Sequence, residues 1–109
     1  MNGDLALLNR ALINFAIDFM EKKNYKYIEP PLMVSKEIVK AKGDFTAFED
    51  ALYKIDGEEL YLIPTAEDAI LGMLSAKTIP EEKLPLKFYG YSMCFRKEIG
   101  SHGINEKGL

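Results

Sequence analysis

The sequence predicts an α+β domain, and three observations carry the prediction. From Asp4 to Met20, apolar residues recur every three to four positions, the spacing of one helical face. From Leu86 to Phe95 the pattern alternates, as in a strand. An Asp56-Gly57 pair stands between two short apolar runs, which marks a hairpin. At 109 residues the chain is one domain or part of one. A hydrophobic content of 48% is that of a folded protein and argues against disorder.

The elements follow in order. Helix 4–20 places Leu5, Leu8, Leu12, Phe15 and Phe19 on one stripe. Leu7, Ala11, Ile13, Ala16 and Ile17 widen the apolar surface, and Arg10, Asn14 and Asp18 form a narrow polar strip. A helix this apolar is buried on more than one side, in a core or against another subunit. Ile13 and Ile17 are expected at outward positions. Asn24 ends the helix. Tyr25 to Glu29 reads as a strand that Pro30-Pro31 stops, since proline lacks a donor and holds its predecessor extended. Ser35 to Lys42 is a short helix, with Ser35 as N-cap and Gly43 as its stop. Asp44 to Asp50 is a loop. Leu52–Ile55 and Glu59–Ile63 are the hairpin strands. Pro64-Thr65-Ala66-Glu67-Asp68 opens a helix running to about Ala76, with Thr65 and Asp68 in the pattern of a capping box. Lys77 to Pro85 connects to the Leu86–Phe95 strand.

Composition excludes several classes. The single cysteine, Cys94, cannot form an internal disulfide, and no Cys/His spacing marks a metal site. A cytoplasmic setting is the simplest reading. No apolar run is long enough to span a membrane, and the N-terminal stretch lacks a signal peptide's basic start. The net charge of −3 gives no general attraction to nucleic acid.

The chemistry gathers at Phe95-Arg96-Lys97-Glu98. Only Arg10 and Arg96 are arginines among 14 basic residues, so an arginine at the strand's end is not the chain's habitual way to place a positive charge. Alternation puts Arg96 and Glu98 on one face and Lys97 on the other. A guanidinium forks onto a phosphate or carboxylate with two parallel bonds. The pair suits a nucleotide phosphate; a strand-end surface salt bridge is the plainer use of the same residues. On the Arg96 face Gly90, Ser92 and Cys94 are small, which leaves room for a ligand or a packed helix. His102, the only histidine, reads as a surface residue, and no nucleophile–base arrangement can be inferred.

Phe95-Arg96-Lys97-Glu98, the loop Gly100-Ser101-His102-Gly103 and the closing Lys107-Gly108-Leu109 resemble motif 2 of the class II aminoacyl-tRNA synthetases, in the form found in seryl-tRNA synthetases. The run from Gly3 to Leu12, continuing to Tyr27-Ile28-Glu29-Pro30-Pro31, resembles motif 1. Tyr61-Leu62-Ile63-Pro64-Thr65-Ala66-Glu67 is similar to the serine-binding loop. The resemblance spans nearly the whole chain, with the blocks in family order.

The resemblance implies an antiparallel sheet flanked by helices, in a homodimer formed through the 4–20 helix. It implies ATP-dependent activation of serine and transfer to tRNA(Ser), with magnesium accompanying ATP and no complete metal site in this chain. Arg96 would be the catalytic clamp on the α-phosphate, Glu98 would orient the nucleotide, and Thr65 and Glu67 would hold serine. Residues 1–109 would form the N-terminal part of the catalytic domain, a single incomplete domain. The family's N-terminal tRNA-gripping arm, the second motif 2 strand and motif 3 do not appear, so the chain alone is expected to be inactive. Two other readings are open. One is a prolyl-type enzyme, whose loop also carries proline, threonine and glutamate. The other is a dimerising interaction module without catalysis.

Overall fold

The computed structural model describes residues 1–41, 43 and 49–98. The loop Gly100–Gly103 with His102, the closing Lys107-Gly108-Leu109 and most of the 44–50 loop lie outside the described residues. Three α-helices are present among them: α1 (Gly3–Lys22), α2 (Lys36–Lys40) and α3 (Ala66–Leu74). The strands are β1 (Lys26–Tyr27), β2 (Met33–Ser35), β3 (Leu60–Leu62) and β4 (Phe88–Tyr89). Short 3-10 turns at Glu49–Ala51 and Glu81–Lys83 occupy stretches expected as loop and connector.

The α+β class is as expected. Pairing is antiparallel between β2 and β3, with Val34 opposite Tyr61. The expected Leu52–Ile55 strand is reduced to a single bridge on this sheet: Lys54 pairs with Tyr61, and the Leu62 amide donates to the Tyr53 carbonyl at 3.0 Å. Gly57 takes φ 74° in the turn, the left-handed region that glycine enters without cost. β1 and β4, by contrast, run parallel, with Tyr27 opposite Tyr89. Parallel partners need a long crossover, and here it is the entire β2–α3 unit.

The core is Val34, Val39, Leu52, Tyr61, Ile63 and Ala69, with Ile38 packed against it. It lies where α2 and α3 cover the β2–β3 sheet. α2 begins after Ser35 as expected, although no side-chain cap bond forms there. β2 has no counterpart among the expected strands. Its three residues sit between Pro31 and a helix cap, too few to show a period.

Two expectations are corrected. The strand expected over Leu86–Phe95 keeps a ladder only at Phe88–Tyr89. Beyond it the backbone makes spaced bonds instead: Phe95 donates to the Ile63 carbonyl at 2.9 Å and Lys97 to the Ala51 carbonyl at 2.8 Å. A strand needs a continuous partner, and residues 95–97 meet the end of the β3 hairpin rather than its length. The second correction concerns α1. Ile13 and Ile17 do not face outward; with Met20 they turn toward Tyr89, Gly90 and Tyr91. The stripe that the periodicity picks out is the exposed one: Leu5, Leu8, Leu12, Phe15 and Phe19 are 48–70% exposed. α1 thus carries two apolar stripes, and β4 covers only one. The helix ends as expected at Asn24, which takes φ 61°. The Tyr25 amide reaches back to the Met20 carbonyl and the Asn24 amide to that of Glu21, a Schellman closure.

Outside the core, Glu59 sits between Lys54 (3.0 Å) and Lys36 (3.4 Å). The Lys54 hydrogen bond, then the Lys36 charge, holds the Glu59 carboxyl below its ordinary range. A carboxylate depressed on folding contributes stability above its unfolded pKa and loses it as pH falls through the folded one. Glu59→Gln should therefore be less stable than the parent at neutral pH, and the gap should close on acidification. Urea midpoints at pH 7 and at a pH below the carboxylate range test this. The group is exposed, so the gap is expected to be small.

Candidate functional site

The four residues expected to act come from two elements, the entry to α3 and the extended segment after β4. Ile63 is fully buried and bonded on both sides: its amide donates to the Leu32 carbonyl at 2.9 Å, and its carbonyl accepts from Phe95. This anchors the chain immediately before Pro64. Thr65 then takes an extended conformation as N-cap, and its hydroxyl accepts from the Glu67 amide at 3.3 Å. The cap bond therefore goes to Glu67 rather than to the Asp68 amide, which donates to the Thr65 carbonyl at 3.3 Å. Asp68 is turned in and is 1% exposed, whereas Glu67, one residue earlier, is exposed. The first helical turn thus separates two acidic neighbours, one turned inward and one exposed.

The second element is set against the first. The Phe95 amide docks on Ile63, so Arg96 falls beside the residue that follows it. The Arg96 Nε donates to the Pro64 main-chain carbonyl at 3.0 Å. Lys97 turns elsewhere, its ammonium 5.6 Å from the centre of the Tyr53 ring. Arg96 and Lys97 thus make contacts with different parts of the structure, although no strand forms there. Glu98 is exposed at the end of the described segment. The structure thus brings Arg96 to the entrance of the Thr65–Glu67 turn, 32 positions away in sequence. Sequence reasoning missed the Pro64 carbonyl. A main-chain acceptor has no side-chain signature, and only the tertiary approach of two segments reveals it.

Tying Nε to a carbonyl leaves the two terminal nitrogens of Arg96 as the remaining donors, the edge that grips a phosphate bidentately. Cys94 is exposed nearby in sequence, and its thiol lies 3.8 Å from the Ser92 carbonyl. Among the described residues no group of three or more His, Cys, Asp or Glu side chains could hold a metal.

The profile of the tRNA synthetase class II core domain (G, H, P, S and T) matches residues 47–109, which include both elements of the site. The chain belongs to this family. It is 45% identical over 105 residues to the serine–tRNA ligase of Thermoplasma acidophilum, covering 96% of this chain and 24% of that protein. The crystal structure of the Pyrococcus horikoshii seryl-tRNA synthetase complexed with ATP superposes with a TM-score of 0.91 at 40% identity, over 98% of this chain and 24% of that one. The cytoplasmic serine–tRNA ligase of Naegleria fowleri in complex with AMP superposes with a TM-score of 0.84 at 43% identity, over 94% of this chain and 24% of that one. The chain spans about a quarter of the length of the relatives it matches. The stretches that resemble motif 1, the serine-binding loop and the start of motif 2 fall on α1, at the entry to α3 and at Phe95–Glu98.

Proposed function

We propose that the chain forms the serine loop and the first part of the nucleotide clamp of a seryl-tRNA synthetase, and is part of a catalytic domain completed by further residues. In the whole protein, a serine carboxylate oxygen attacks the α-phosphorus of ATP. The bond from that phosphorus to the pyrophosphate oxygen breaks, giving seryl-adenylate. The terminal ribose hydroxyl of tRNA(Ser) then attacks the acyl carbon and AMP leaves. Such chemistry asks the protein for position and charge stabilisation rather than a nucleophile. Arg96 directs its terminal nitrogens to the α-phosphate, Glu98 orients the nucleotide, the Glu67 carboxylate receives the serine ammonium, and Thr65 contacts serine beside it. Magnesium accompanies ATP, and no cluster among the described residues suits it. No helix among the described residues is long and apolar enough to cross a membrane, and a cytoplasmic place of action goes with this reading.

The observation that supports the proposal is the 3.0 Å bond from Arg96 to the Pro64 carbonyl, which joins the arginine read as the phosphate clamp to the loop read as the serine site. The test is a graft: this chain replaces the aligned quarter of the Thermoplasma acidophilum ligase. The graft should exchange pyrophosphate into ATP in a serine-dependent way and charge tRNA(Ser), while the 109-residue chain alone stays at background. A folded graft without exchange, or one that depends on proline instead, overturns the proposal.

The same reading assigns the exposed stripe of α1 to a second copy of the chain. Phe15 is 70% exposed on that stripe. Burying a phenylalanine is worth about 1.5–3 kcal/mol, and a two-fold interface contains it twice. Phe15→Glu should weaken association by at least about tenfold, each 1.4 kcal/mol being tenfold, as read by sedimentation. Unchanged association by a folded variant removes α1 from the interface.

A further inference from the structure

We infer that the Arg96–Pro64 hydrogen bond is a positioning contact that makes serine and ATP bind with positive coupling; the inference rests on the function proposed above. Pro64 stands between a fixed neighbour and the helix-capping turn. On one side Ile63 is fully buried and bonded through both its amide and its carbonyl. On the other, the Thr65 turn is closed by the Glu67 amide on the Thr65 hydroxyl and the Asp68 amide on the Thr65 carbonyl. A ligand that draws on the Thr65 hydroxyl or the Glu67 carboxylate acts on this turn, and the turn begins one residue after the carbonyl that holds Arg96. That carbonyl precedes the N-cap, so the helix makes no demand on it and it is open to an outside donor. Arg96 is exposed and long, and without this bond its guanidinium samples many rotamers. Serine that holds the turn also holds the Pro64 carbonyl on which the exposed Arg96 rests, so the arginine keeps this bond more of the time and ATP then binds with less loss of side-chain freedom. This is coupling by shared ordering, and linkage requires ATP to tighten serine by the same factor.

The experiment uses the graft with serine and α,β-methylene ATP, whose bridging carbon prevents the activation step. Calorimetry measures the dissociation constant of the analogue with and without saturating serine. In the parent graft serine should tighten the analogue by at least about fivefold, the lower end of typical coupling. In Pro64→Gly, which frees the backbone that aims the carbonyl, the factor should fall below about twofold, with Pro64→Ala between the two. Arg96→Lys, which has no Nε to donate, should abolish the coupling even where some affinity for the analogue survives. It decides the matter if Pro64→Gly fails to fold. Independent binding of the two ligands by the parent graft, or full coupling in a folded Pro64→Gly, overturns the inference and leaves the proposed function standing. A folded parent graft that binds neither ligand overturns both.

Discussion

In the grafted enzyme, Arg96→Lys is expected to lower kcat/KM for ATP by roughly 10- to 150-fold. Lysine keeps the charge but has neither the planar fork nor the Nε that donates to Pro64 at 3.0 Å. A hydrogen bond to a charged group is worth about 1.5–3 kcal/mol, and each 1.36 kcal/mol is tenfold in rate. In the proposed role the bond to the α-phosphate tightens as charge develops there, so the loss should fall mainly on kcat. Glu67→Gln gives the contrasting pattern. Its proposed partner is the ammonium of ground-state serine, so the KM for serine should rise while kcat holds. Steady-state adenylate formation with ATP and serine varied separately resolves the two. A change in kcat/KM for ATP within about twofold, under about 0.5 kcal/mol, removes Arg96 from the clamp and returns it to a structural contact.

Ile63→Ala should produce the largest loss of stability. Ile63 is fully buried in a core of six residues, and its backbone joins Leu32 on one side to Phe95 on the other. Truncating a buried isoleucine costs about 2–5 kcal/mol, from lost transfer energy and the cavity left behind. A domain of this size has about 5–15 kcal/mol in all, so the variant loses a large share. Urea titration of the chain should show a lower midpoint with an unchanged slope, the signature of a stability change alone. A shift worth less than about 1 kcal/mol would show that the site collapses around the deletion and that Ile63 is not the anchor described. In the graft, the same variant should also weaken Arg96 function, because the segment carrying Arg96 hangs on the Ile63 carbonyl.

Where the sequence was legible, the information was local. The α1 period, the Asn24 stop, the Asp56-Gly57 turn and the Thr65 cap each depend on residues within one or two turns of one another. The resemblance to class II synthetases was legible for the same reason, since its motifs are short contiguous blocks. The outward face of α1 differs from the expected one because periodicity finds apolar stripes but not what covers them. Both Leu12 and Ile13 are apolar, and only the position of β4 makes one exposed and the other half-buried. The Leu86–Phe95 run alternated like a strand, yet ladder formation depends on a partner that alternation does not supply.

By itself the sequence determined the α+β class, the main helices and the Asp56-Gly57 turn, the family and the identity of the residues offered as clamp and loop. Those follow from side-chain period, turn chemistry and contiguous motifs. Only the tertiary structure decided that β1 and β4 pair in parallel across the β2–α3 unit. Only it set Arg96 on the carbonyl that precedes Thr65. The physical reason is that both arrangements are made by main-chain hydrogen bonds, or end on a main-chain oxygen. Every residue carries the same backbone carbonyl, so no choice of side chain announces which one will be met.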